Sequence, residues 1–196
     1  MNDHYFSTDP KAAHQTAIID YSLKGVNFRF RTDSGVFSRE KVDYGSNLLL
    51  KTLPNLQGEV LDMGCGYGVI GVSLARLNRD CRVTMADVNR RALALALENA
   101  RDNDALNAQV IHSDGFSEIE GLFATIVSNP PIRAGKKIIY QMFEDSHNFL
   151  EEGGHLWLVI QRKQGAPSAV RKLESVYGNC TVVDKSGGYW IIRSQK

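Results

Sequence analysis

Val60-Leu61-Asp62-Met63-Gly64-Cys65-Gly66-Tyr67-Gly68 reads as a buried strand, a glycine-rich turn and the opening of a helix. Ile70, Val72, Leu74, Ala75 and Leu77 follow with apolar residues at helical spacing. Glycine lets a backbone turn sharply and approach a ligand with no Cβ in the way. The unpaired N–H groups of the new helix face the same space. The pattern is Asp-x-Gly-x-Gly-x-Gly. A dinucleotide fingerprint, Gly-x-Gly-x-x-Gly, places its third glycine one residue later. The acid at Asp62 also differs. A carboxylate there repels a diphosphate and attracts an ammonium group, which points to the amino-acid end of S-adenosylmethionine (SAM) rather than to a nicotinamide dinucleotide. Read alone, the three glycines also fit an ordinary strand-to-helix turn.

Outward from this unit the chain alternates strands and helices. Cys81 to Asp87, Ala108 to His112, Leu122 to Val127 and His155 to Ile160 are expected strands, with helices between them. Asn89 can cap the helix that carries Leu93, Leu95 and Leu97. Ile138 to Leu150 is an expected helix, closed by Gly153-Gly154. This alternation predicts an α/β, Rossmann-like, mainly parallel sheet with helices on both faces. Upstream, Val26 to Arg31 alternates apolar with polar, Thr32-Asp33-Ser34-Gly35 signals a turn, and Val36-Phe37-Ser38 suits a returning strand. An N-terminal β-hairpin outside the main sheet is expected there. Residues 1–24 are expected to be a tail or short helix, and residues 25–196 a single domain. Asn47 to Leu53 is expected to form a short helix stopped by Pro54.

Composition narrows the class. The 196 residues are 43% apolar and 23% charged with a net charge of +1, as in an ordinary soluble domain. No apolar run is long enough to span a bilayer, and the N-terminus lacks signal-peptide character, so no membrane partner is expected. The three cysteines, Cys65, Cys81 and Cys180, lack disulfide or metal spacing and suit a reduced, cytoplasmic setting. The five histidines are scattered without ligand spacing, so no metal is expected. Arg133, Lys136 and Lys137 form one of several basic clusters, each of which alone suits a solvated face.

In such sheets ligands bind beyond the carboxyl ends of the strands. Four successive strands end in short polar residues: Asp62, Asp87, Asp114 and Asn129. Asp87 follows Asp62 at close to the offset of about 20 residues expected of an acid that binds ribose hydroxyls. It also fits a helix cap. Asp114 suits the adenine amine, with Phe116 against the ring, and also suits a plain loop acid. Asn129-Pro130-Pro131-Ile132 is the second sharp signal. Two prolines fix the backbone and remove two donors, leaving their carbonyls as acceptors. With the Asn129 side chain they suit a planar amine whose lone pair must be turned toward a methyl group. The same four residues also fit a rigid turn after an edge strand.

The Asp62-to-Gly68 turn together with Asn129-Pro130-Pro131 resembles the class I SAM-dependent methyltransferases that act on amino nitrogens. The upstream run Gly35-Val36-Phe37-Ser38 and Val42 to Leu53 is similar to the small methyltransferase domain of the ribosomal small-subunit RNA guanine-N2 methyltransferases. That resemblance, over roughly residues 20–196, implies seven strands with the last antiparallel, and methyl transfer from SAM to a guanine amine in ribosomal RNA. It implies that Asp62, Gly64, Cys65, Gly66 and Gly68 surround the methionine part. Asp87 and Val88 would take the ribose, Asp114 and Gly115 the adenine, and Asn129, itself among the cofactor contacts, would hold the target amine with Pro130. Pro131, Ile132, Arg133 and Phe37 are the expected substrate contacts. Family members commonly carry an aromatic residue where this chain has Ile132, and Phe37 is the candidate to replace it. Better-known members also carry an extra N-terminal domain that these residues do not contain. The implied partner is ribosomal RNA or a small-subunit particle, and a monomer is expected. Two rival functions stand: methylation of a protein glutamine amide, for which the family has tyrosine after the prolines, and a non-catalytic SAM- or RNA-binding module.

Overall fold

In the computed structural model, which describes residues 13–196, two strands form a separate hairpin: β1 (Ala17–Leu23) and β2 (Val26–Thr32). Leu23 pairs with Val26 across Lys24-Gly25, both at positive φ (49° and 80°). A two-residue turn of that hand matches the twist of the flanking strands. The hairpin is therefore present, with the arm over residues 26–31 as expected and the other arm before it rather than after it. Val36-Phe37-Ser38 does not return as a strand. Gly35 and Ser38 hold φ of 81° and 57°, which break an extended run. The expected tail or short helix over 1–24 is instead strand from Ala17 onward. There Ile19 and Leu23 are buried, Tyr21 is half-buried, and Ile18, Asp20 and Ser22 between them face water. The part of that expectation on residues 1–12 lies outside the described residues.

The main sheet contains β3 (Gly58–Met63), β4 (Cys81–Asp87), β5 (Ala108–His112), β6 (Phe123–Ser128), β7 (Leu150–Gln161), β8 (Thr181–Ser186) and β9 (Tyr189–Gln195). Its seven strands lie in the order β5-β4-β3-β6-β7-β9-β8. Neighbours from β5 to β7 are parallel, and β9 is antiparallel to both β7 and β8. This is the mainly parallel sheet with an antiparallel last strand that the sequence implies. The direction of strand addition reverses between β3 and β6, and such sheets open their ligand crevice at that reversal.

Helices cover both faces. On one, α1 (Tyr44–Thr52), α2 (Val69–Leu77) and α3 (Arg90–Asp102) bury Leu49, Val72 and Ala96 with Val60 of β3 and the hairpin's Phe28 and Phe30. On the other, α4 (Lys136–Phe149) and α5 (Ala166–Tyr177) bury Phe143 and Leu173 with Leu61 and Leu158. Val60 and Leu61 thus serve opposite layers, as the alternation of a strand requires. Gly153-Gly154 does not close α4, because both residues lie within β7. A Cβ on Gly154 would stand 3.0 Å from the Phe123 carbonyl oxygen, at the bulge where β6 and β7 shift register. Among the described residues no helix is long and apolar enough to cross a membrane.

Candidate active site

A cavity of about 1020 Å³ opens at the carboxyl ends of β3 to β6, at the upper end of the size usual for small-molecule sites. The glycine turn forms its floor. Gly64 and Cys65 donate their N–H groups to the Ala86 carbonyl at 2.8 and 3.0 Å, and Gly66 donates to Asp87 Oδ2 at 2.8 Å. Gly64, Cys65 and Gly66 face the cavity. A Cβ on Gly64 or Gly66 would meet no atom within 4 Å, so the space over the turn is open. Gly68 differs: it caps α2 at φ 91°, off the cavity wall, and a Cβ there would lie 3.2 Å from the Ala96 backbone. Burial, with the Asp87 and Asp62 charges, pushes the Cys65 thiol well above its usual range, which disfavours the thiolate.

Asp62 stands behind the turn rather than on the cavity wall. It is fully buried; Oδ2 accepts the Gly71 N–H at 2.7 Å and Oδ1 has no partner. Burial drives its carboxyl up to about 7 against the Gly71 bond, helped by the Asp87 charge. Asp87 does reach the wall. Its Oδ1 takes the Asn89 N–H at 2.9 Å, while Asn89 itself caps α3 by accepting from Ala92 at 3.1 Å. Burial also raises the Asp87 carboxyl, opposed by N–H groups of Asn89, Gly66 and Val88. Val88 lines the wall beside it.

Asp114 and Gly115 border the cavity after β5, on a loop tied by Ser113, whose hydroxyl donates to the Gly115 carbonyl at 2.7 Å. Asp114 is exposed. Phe116, buried, stacks on Phe149 at 4.8 Å between ring centroids. The two rings give this end of the cavity an apolar wall.

Opposite lies Asn129. Its Nδ2 donates to Asp43 Oδ2 at 3.0 Å and to Ser46 Oγ at 2.9 Å. An ionised carboxylate only accepts, so the group facing Asp43 must be the amide nitrogen. Both amide hydrogens are thereby used, and Oδ1 is turned away from Asp43 and Ser46. The proline carbonyls are less free than expected. Pro130 O accepts the Ile132 N–H and Pro131 O the Ala134 N–H, each at 2.8 Å, because the chain tightens into a 3-10 turn over Ile132–Ala134. Each carbonyl keeps one lone pair. Pro131, Ile132 and Arg133 lie along this rim, and Phe37, 39% exposed, faces it from the loop after the hairpin.

The geometry thus brings together every expected site residue except Asp62 and Gly68, which support the turn from behind. Sequence reasoning missed Asp43, Ser46 and Tyr189, all on the cavity wall. Asp43 lies 86 residues from its partner Asn129. The one local signal was a cap: Asp43 Oδ2 accepts the Ser46 N–H at 3.1 Å and starts α1.

The family pattern described as methyltransferase small domain matches residues 27–193. A Bacillus subtilis (strain 168) protein called uncharacterized protein YbxB is 46% identical over the whole of both chains. Ribosomal RNA small subunit methyltransferase C of Shewanella amazonensis is 33% identical over 97% of this chain and 56% of its own. Among solved structures, the T. thermophilus 16S rRNA N2 G1207 methyltransferase (RsmC), in complex with AdoMet and guanosine, superposes with a TM-score of 0.83 at 27% identity. That match covers 95% of this chain and 52% of the other. The chain spans about half the length of these two RNA methyltransferases, and all of the B. subtilis protein.

Proposed function

This chain belongs to the methyltransferase small-domain family, and from that premise we propose that it methylates the exocyclic N2 amine of a guanine in small-subunit ribosomal RNA, with SAM as donor. The observation that carries the reading is the Asn129 amide, fixed by Asp43 and Ser46 so that Oδ1 is left to accept from a target amine. Pro130 O, with its remaining lone pair, supplies the second acceptor.

The residues present fit SAM. Open space over Gly64 and Gly66 leaves room for a ligand against bare backbone. Asp62 stays behind that floor, where its Oδ2 holds the Gly71 N–H and its Oδ1 has no partner. Asp87 offers two oxygens at the wall for a ribose diol, each already holding one N–H. Phe116 and Phe149 suit a flat purine. When bound, SAM supplies a methyl group activated by its sulfonium charge.

The chain's own part is to hold the target. Acceptance of both amine hydrogens by Asn129 Oδ1 and Pro130 O orients the nitrogen lone pair, so no strong base is needed first. Phe37 and Ile132 flank the rim where a base must enter, unpaired or flipped from its stack. Arg133 and Lys137, both exposed at that rim, suit the flanking phosphates. Such an enzyme works on ribosomal RNA, or on the assembling subunit, in the cytoplasm.

The test is methyl transfer from tritiated SAM to ribosomal RNA by the wild type and by Asn129→Ala. The variant is expected to bind SAM normally and to lose at least about 100-fold in rate. A loss smaller than about tenfold overturns the amine clamp. Label that survives RNase but not protease would move the substrate to protein.

A further inference from the structure

We propose that Asp43 and Ser46 are positioning residues for the methyl transfer, acting through Asn129 to fix the direction and charge of its Oδ1. This rests on the reading of Asn129 as the amine clamp.

An asparagine alone does not determine which of its two ends meets the substrate. Rotation of the amide by half a turn would present donors where an acceptor is needed. Asp43 Oδ2 and Ser46 Oγ prevent it by taking both Nδ2 hydrogens at 3.0 and 2.9 Å. Flipping would set Oδ1 against a carboxylate. The Asp43 charge also polarises the amide, drawing electron density toward Oδ1 through the hydrogen bond.

The role of helix cap does not account for this geometry. A cap needs one acceptor, and serine or asparagine serves as well as aspartate. Here one oxygen of Asp43 takes two donors, the Ser46 N–H at 3.1 Å and the Asn129 amide. The intervening residue is shaped to the pair. A Cβ on Gly45 would stand 2.9 Å from Asp43 Oδ2 and 3.0 Å from the Tyr189 ring, though its backbone is not in the left-handed region. The charge is felt around the site: burial first, and the Asp43 carboxylate second, raise the phenols of Tyr67 and Tyr189. Asp43 and Ser46 both line the cavity.

Two variants separate positioning from capping. Ser46→Ala leaves the Ser46 N–H in its cap and removes only Oγ. Asp43→Ser keeps a capping oxygen but withdraws the charge from Asn129. Both are expected to keep the melting temperature and the SAM Kd close to wild type. The kcat for RNA is expected to fall about threefold or more in Ser46→Ala and about tenfold or more in Asp43→Ser. Asp43→Asn, with the length and one acceptor but no charge, should recover part of the loss. In the Asn129→Ala background Asp43→Ser is expected to cost nothing further, because the group it acts through is gone. Unchanged kcat in both single variants overturns the proposal. So does a parallel loss of SAM binding, or a double variant whose losses multiply. Should Asn129→Ala fall below detection, the split between kcat and SAM Kd in the single variants decides. Failure of the clamp reading itself shows separately, as near-normal turnover by Asn129→Ala.

Discussion

Arg31 donates its N–H to Asn99 Oδ1 at 2.7 Å and accepts from Asn99 Nδ2 at 2.9 Å, so a helix side chain stands where a neighbouring strand would. Asn103 repeats the pairing with Arg29, at 2.9 Å for both bonds. The spacing works because two strand residues rise about 6.6 Å and four helical residues about 6.0 Å. Helix α3 therefore closes the open edge of β2 with a ladder of two amides. The second Nδ2 hydrogen of Asn99 goes to the Tyr67 carbonyl at 2.8 Å, which ties the hairpin to the glycine turn.

Asn99→Ala would orphan the Arg31 groups and a buried carbonyl at once. It is expected to destabilise the fold by about 3 kcal/mol, since each buried group left unsatisfied costs about 1–3 kcal/mol. Asn103→Ala, nearer the surface at 8% exposure, should cost about half as much. Urea unfolding midpoints of the two variants check the order. Equal, small losses would mean that water replaces the amides freely.

Much of the site is legible because its signals are local. Asp62 to Gly68 and Asn129 to Pro131 each combine a strand end with glycine or proline, and backbone geometry follows from those residue types directly. The hairpin is half legible. Val26 to Arg31 alternates cleanly, but its partner lies before it, where Ile18 faces water and blurs the alternation of Ile19, Tyr21 and Leu23. Val36 reads as strand because it is apolar; it is buried in a turn instead. The position of Asp62 behind the turn and the tie from Asp43 to Asn129 depend on how distant segments pack. No local pattern encodes either.

Gly66 and Gly68 are expected to fail differently. Both hold left-handed backbone, at φ 55° and 91°, so alanine strains each by about 1–2 kcal/mol. At Gly66 the new methyl group would enter open space above the turn. Gly66→Ala should fold and lose SAM affinity by more than about tenfold, as one blocked contact surface implies. At Gly68 the methyl group would press on the Ala96 backbone at 3.2 Å, and α3 must shift. Gly68→Ala should lose about 3 kcal/mol of stability. Calorimetric titration with SAM beside thermal melts separates the two.

Arg133 and Lys137 are exposed at the cavity rim, and among the described residues neither holds a carboxylate partner. Replacing either with alanine should leave the SAM Kd unchanged and raise the KM for RNA. If each meets a phosphate, the slope of log affinity for single-stranded RNA against log salt should fall by roughly 0.7 per variant. Filter binding across a salt series measures it, and an unchanged slope would remove them from the RNA interface.

Asp62 makes a prediction about pH. Its carboxyl titrates near 3.8 in an unfolded chain and is pushed to about 7 in the fold by burial, opposed by the Gly71 N–H and helped by Asp87. Between those values the folded protein binds a proton that the unfolded chain has released. The stability linked to this group is therefore complete below pH 3.8 and is lost as pH rises through about 7. The amide of the Asp62→Asn variant carries no proton to lose and has no such slope. The free protein should thus weaken relative to Asp62→Asn between about pH 4.5 and about pH 8, by on the order of 3 kcal/mol. Asp87, whose charge helps raise Asp62, is present in both proteins. Urea midpoints at the two pH values give the difference. Parallel curves would mean that Asp62 stays ionised in the fold, its unpartnered oxygen stabilised by water.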